Sequence, residues 1–137
     1  MLVKFNEQMR CATIDTNTFI YAYLNKIDIF DLLEAAGIRN ILIPSKLIDE
    51  LKILENRLSG NERIAVRFAI NLVKTKCRIV EVNATDVDAS LLHLAKDSGC
   101  VLITSDRDLI DRAASMGVET AYIRSKRKLE FRTGYKY

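Results

Sequence analysis

Five short apolar runs, at residues 10–14, 41–43, 78–82, 100–104 and 119–123, are separated by longer segments of helical period. Runs this short can be buried on both faces only as strands, and the intervening segments carry apolar residues at helical spacing. Helices are expected over 16–24, 27–36, 45–58, 61–76, 85–98 and 106–116. Gly37, Gly99 and Gly117 stand where three of them should stop, and Ser59-Gly60-Asn61 breaks the third from the fourth. Pro44, the only proline, closes the second strand, and Ser45 is placed to cap the helix after it. In 61–76, Ile64, Ala65, Phe68, Ala69, Leu72 and Val73 share the face expected to be buried, opposite Arg63, Arg67 and Lys74. Strands alternating with helices imply right-handed crossovers and an α/β fold. The expectation is a three-layer α/β/α sandwich around a central parallel sheet of about five strands. Ligands in such sheets gather at the carboxyl ends of the strands, where strand order reverses.

A chain of 137 residues, 49% hydrophobic and 28% charged, is the size of one domain with its own core. No apolar run approaches the roughly 20 residues of a spanning helix. The first residues, Met-Leu-Val-Lys-Phe-Asn-Glu-Gln, lack the layout of a secretory signal, so a cytoplasmic location away from membranes is expected. Cys11, Cys77 and Cys100 are widely separated and lie in or beside apolar runs. They read as buried free thiols rather than a zinc site or a disulfide framework. A metal would then be held by carboxylates, which favours Mg²⁺ or Mn²⁺ over zinc or copper. The net charge of +3 is uneven, because residues 122–137 carry +5 and the rest −2. Residues 1–123 are expected to form the domain body and 124–137 a basic tail belonging to it. That tail, with Arg124, Lys126, Arg127 and Lys128, suits a polyanion such as nucleic acid. Tyr135 and Tyr137 could stack on bases.

Four carboxylates stand where stability alone would not put them. Asp15 ends the first strand and Asp106 follows the fourth; each could instead cap the next helix, as could Ser105. Glu50 flanks the apolar stripe of Leu47, Leu51, Leu54 and Leu58, while Asp49 points away. A carboxylate there needs a cation or an ion pair with Arg or Lys. Asp88 shares its face with Leu91, Leu92 and Ala95, opposite Asp86 and His93. A capping box with Thr85 would also account for it. Converging on one pocket, the four acids would repel each other unless a divalent ion filled it, and phosphoryl transfer is the chemistry that uses such a cluster. No Ser, Cys or His nucleophile arrangement competes, His93 reads as a surface residue, and none of the five glycines forms a phosphate-cradling loop.

At these residues the sequence resembles the PIN-domain nucleases. The matching pieces are 14–19 (Ile-Asp-Thr-Asn-Thr-Phe), 48–51 (Ile-Asp-Glu-Leu), 88–95 (Asp-Ala-Ser-Leu-Leu-His-Leu-Ala) and 104–109 (Thr-Ser-Asp-Arg-Asp-Leu), in the family's order. The ending 122–129 resembles the stand-alone archaeal members, which are similar both to VapC-type toxins and to the nuclease of the small-subunit processome. The resemblance implies strand order 3-2-1-4-5 and Mg²⁺- or Mn²⁺-dependent cleavage of single-stranded RNA. It also implies a metal cluster of Asp15, Glu50, Asp88 and Asp106, with Asn17 and Thr104 or Ser105 orienting those acids. Ala89 follows the third acid where many of this subgroup carry a second Asp; the helical wheel favours Asp88. The role implied is a toxin with an antitoxin partner or an rRNA-processing factor in ribosome assembly, and a homodimer by analogy. A rival reading is a binding module that holds RNA or protein and cuts poorly or not at all. A receiver-like or phosphatase-like domain using Asp15 as phosphoacceptor would need an adjacent acidic pair, which is missing.

Overall fold

The computed structural model describes residues 10–133. Its elements run β1 (Arg10–Ile14), α1 (Thr16–Leu24), α2 (Ile29–Ala35), β2 (Ile38–Pro44), α3 (Ser45–Arg57), α4 (Gly60–Lys76), β3 (Arg78–Val80), α5 (Val87–Ser98), β4 (Val101–Ile103), α6 (Arg107–Ser115), β5 (Thr120–Ser125) and β6 (Lys128–Arg132). The sheet has the order β3-β2-β1-β4-β5-β6. The first five strands are parallel, as the alternation requires, and β6 returns antiparallel along β5. The order reverses between β1 and β4, so the carboxyl ends of these two neighbours form the crevice. Helices cover both faces, giving the three-layer α/β/α arrangement. The sheet supplies the centre of the core, with Ile14, Ile43, Leu102 and Ile103 fully buried. Among the described residues no helix is long and apolar enough to cross a membrane.

Local chemistry explains most boundaries. Asp28 starts α2 by accepting the N–H groups of Phe30 and Asp31. Gly99 ends α5 in the left-handed conformation, φ 68°, which costs a glycine little. Several expectations change. Strand β2 begins at Ile38, because Ile38, Ile41 and Ile43 are all buried in it although Arg39 and Asn40 interrupt the apolar run. Ser45 is the first residue of α3, and the capping position is Pro44, with no side-chain cap. The buried stripe of α4 is Ala65, Val66, Ala69 and Val73, while Ile64 and Phe68 are 47% and 45% exposed. Small residues let α4 approach α1 and α3 closely, and the Phe68 ring then lies outside against Tyr23, centroids 5.0 Å apart.

The fourth change concerns the cysteines. Cys11 and Cys100 are joined in a disulfide across β1 and the residue preceding β4, and only Cys77 is free, its thiol pushed up to about 12 by burial. Two residues 89 apart in sequence pair because Ala12, Thr13 and Ile14 lie beside Val101, Leu102 and Ile103. Sequence distance carries no information about that register.

The stretch expected to be a basic tail continues β5 and folds back as β6, with Leu129 buried. Tyr135, Lys136 and Tyr137 lie outside the described residues.

Candidate active site

The register that joins Cys11 to Cys100 also sets Asp15 beside Thr104, four residues further along both strands. The Asp15 N–H is held by the Ile103 carbonyl at 3.1 Å. Its Oδ1 accepts the Thr18 N–H at 2.9 Å, capping α1, and its Oδ2 accepts the Thr104 hydroxyl. The Thr104 oxygen, fully buried, in turn accepts the Asp106 N–H at 3.0 Å. Asp106 caps α6 through the Leu109 N–H at 3.2 Å, and its side chain is exposed. One threonine hydroxyl therefore ties the end of β1 to the start of α6. Capping and site formation are not alternatives here, since each carboxylate oxygen retains a lone pair after accepting one N–H.

Burial raises the pKa of Asp15, which is only 7% exposed; the Thr104 and Thr18 hydrogen bonds pull it down, and the negative charge of Asp106 adds to the rise. Asp88 is raised as well, first by desolvation, then by Asp106, against a lowering from Arg112; Asp86 and Asp15 add smaller increments. Asp15, Asp88 and Asp106 thus share one electrostatic environment at the crevice. Asp88 takes no part in a capping box, because Asp86 caps α5 through the Ala89 N–H at 2.8 Å. Its cationic neighbour is Arg112, 3.9 Å away, which is equally far from Asp108.

Glu50 joins by a different route. It sits half-buried on α3 beside the fully buried Leu47 and Leu51, and its Oε1 accepts the Thr16 hydroxyl at 2.6 Å. No Arg or Lys among the described residues forms an ion pair with it. Thr16 adjoins Asp15 in the chain, so Glu50 is anchored to the same turn. Thr16 and Thr18 are the site residues that sequence reasoning missed; the signal was the Asp-Thr-x-Thr spacing, with hydroxyls one and three residues after the acid. Asn17, between them, is exposed and makes no hydrogen bond to the four acids among the described residues. Ser105 is exposed and His93 faces solvent.

As the side chains stand, no three Asp, Glu, His or Cys groups among the described residues are gathered closely enough to hold one ion. The donors of the four acids are nonetheless all oxygen, the chemistry that a hard divalent ion prefers. The residues present therefore suit a hard divalent ion.

Beyond the acids, β5 runs parallel to β4, so the turn between β5 and β6 projects from the same end of the sheet. Lys126, Arg127 and Lys128 are exposed there, whereas Arg124 pairs with Glu130 at 3.0 Å. A cleft of about 550 Å³ lies elsewhere, between the α1–α2 turn and α4, and is lined by none of the four acids.

The comparisons with known proteins agree with this architecture. In sequence, the chain is similar to Ribonuclease VapC9 of Archaeoglobus fulgidus, 36% identical over 124 residues and covering 90% of each chain. In fold it is similar to the PIN domain endonuclease Utp24, TM-score 0.70, 20% identical, covering 90% of each chain. The VapBC2 complex of Rickettsia felis bound to a promoter DNA fragment also contains a similar fold, TM-score 0.55, 15% identical, over 75% of this chain and 92% of that one. Residues 12–126, from the middle of β1 to the turn after β5, match the family described as PIN like domain. A match spanning the crevice and all four acids leaves one assignment, and the chain belongs to the PIN-like domain family.

Proposed function

We propose that this chain is a metal-dependent endoribonuclease that hydrolyses phosphodiester bonds of single-stranded RNA. The observation that carries the reading is the Thr104 hydroxyl held between Asp15 and Asp106, beside an Asp88 whose carboxyl responds to both. Asp15, Asp106, Asp88 and Glu50 would hold Mg²⁺ or Mn²⁺. When bound, such an ion supplies Lewis acidity, lowering the pKa of water and offsetting charge on the phosphate. Thr104 holds Asp15 so that a lone pair of each carboxylate oxygen stays free, and its acceptance of the Asp106 N–H sets where α6 begins. Thr16 restrains Glu50 by the same means. Lys126, Arg127 and Lys128, with Arg124 partly engaged by Glu130, would track the RNA backbone toward the crevice. The likeness to a curated ribonuclease over 90% of both chains supports the VapC-type toxin role, with an antitoxin as protein partner, ahead of rRNA processing or ribosome assembly. A cytoplasmic location and a homodimer are part of the same proposal.

A second reading, a module that binds RNA or protein and cuts poorly, is favoured by one observation: no three of the acids among the described residues are gathered to hold one ion. The deciding experiment is cleavage of short single-stranded and structured RNAs in Mg²⁺, Mn²⁺ or EDTA, with wild type and Asp15→Asn purified identically. Metal-dependent cutting that disappears in the variant is expected. Equal cutting by both would sink the assignment of Asp15, and RNA bound but uncut by both would leave the binding module.

A further inference from the structure

Next to the carboxylates, and so far without a role, is a cleft of about 200 Å³ lined by Thr18, Tyr21, Ser105 and Ile123. We infer that this cleft is a nucleobase site, in which the ring of Tyr21 stacks on one base of single-stranded RNA beside the phosphate held at the acids. The inference rests on the nuclease reading for the identity of its ligand and on three structural facts for its position. First, the cleft is continuous with the site: the N–H of Thr18 is held by Asp15 Oδ1, and Ser105 lies between Thr104 and Asp106. A nucleotide with its phosphate at the acids would then direct its base toward the cleft that Tyr21 lines. Second, Tyr21 is 50% exposed, one turn along α1 from Thr18, and forms no ring pair among the described residues, unlike Tyr23 with Phe68. A large ring kept half in water on a cleft wall is a stacking surface for any base. Third, the walls are chemically mixed. Ile123 supplies apolar surface to the same cleft, and the exposed Ser105 hydroxyl, unbonded among the described residues, can meet a base edge. Arg124 follows Ile123 directly, with the exposed Lys126, Arg127 and Lys128 beyond it, so the cleft lies between the acids and positive charge, where a nucleotide chain would run.

The test uses a cleaved single-stranded RNA in which one abasic residue is walked through the sequence. It is assayed with wild type, Tyr21→Ala and Tyr21→Phe, and with Tyr21→Trp as an optical probe, since the chain has no tryptophan of its own. At one position the abasic residue should lower the kcat/KM of wild type by about 5- to 150-fold, the range of a lost stacking contact. Tyr21→Ala should be slowed equally on intact RNA and be indifferent to that abasic residue, while Tyr21→Phe behaves as wild type. Emission of the Tyr21→Trp protein should be quenched by intact RNA and not by the abasic version. Were Tyr21→Ala to misfold, the quenching would still decide the question. Wild-type cleavage with no sensitive position and no quenching overturns the base site and leaves the nuclease reading standing. Quenching without any cleavage sustains the base site and removes the nuclease reading. Neither cleavage nor quenching overturns both.

Discussion

Reducing the Cys11–Cys100 bond should remove about 4 to 5 kcal/mol of folding stability. The bond closes a loop spanning 89 residues of separation, and the chain-entropy treatment assigns about 4.6 kcal/mol to a loop of that size at 25 °C. Against the roughly 5–15 kcal/mol that holds a domain together, such a loss is a third of the total or more. The bond lies four residues before Asp15 on β1 and four before Thr104, roughly 13 Å along the strands at the usual rise. Reduction should therefore weaken the fold without moving the site, and below its unfolding transition the reduced protein should cleave RNA as the oxidised protein does. Urea unfolding followed by far-ultraviolet circular dichroism, with and without a phosphine reductant, measures the difference. Thiol titration in denaturant without reductant should count one reactive thiol, Cys77. The double variant Cys11→Ala, Cys100→Ala should match the reduced protein and be blind to reductant. Three titratable thiols, or coincident unfolding curves in the two redox states, would refute the reasoning.

Three further outcomes are expected. Asp15 and Asp88 bind a proton more tightly folded than unfolded, so each weakens folding above its folded-state pKa, and the loss is relieved as pH falls through that value toward the ordinary 3.8. Asp15→Asn keeps an acceptor for the Thr18 N–H and removes the buried charge, but gives up the acceptor of the Thr104 hydroxyl; urea midpoints at pH 7 and pH 4 should show its stability relative to wild type falling on acidification. Thr104→Val deletes both the donor to Asp15 and the acceptor for the Asp106 N–H at a fully buried position. It should cost about 1–3 kcal/mol in urea unfolding and depress cleavage, with Thr104→Ser restoring both. Replacing Lys126, Arg127 and Lys128 together by alanine should lower the slope of log affinity against log salt for single-stranded RNA by about 2, since each phosphate contact contributes roughly 0.7. An unchanged slope would place the RNA elsewhere.

The layered α/β fold was legible in the sequence because burial and periodicity are local properties. A short apolar run that must lose water on both faces is a strand wherever it finally lies, and the acids after residues 14 and 105 reach strand ends by chain position alone. The caps could be read for the same reason, since Asp15 and Asp106 meet N–H groups three residues away. What the sequence left open depends on which distant pieces become neighbours. Cys11 finds Cys100, Thr104 finds Asp15 and Thr16 finds Glu50 across separations of 89, 89 and 34 residues, and each meeting is set by strand register or helix packing. The face of α4 was misread because its helical wheel carries two apolar stripes, and only its neighbours α1 and α3 select the one with small side chains. The basic segment became a hairpin because the free edge of β5 offers unpaired backbone groups that a returning strand can satisfy, a demand written in the sheet rather than in residues 124–132.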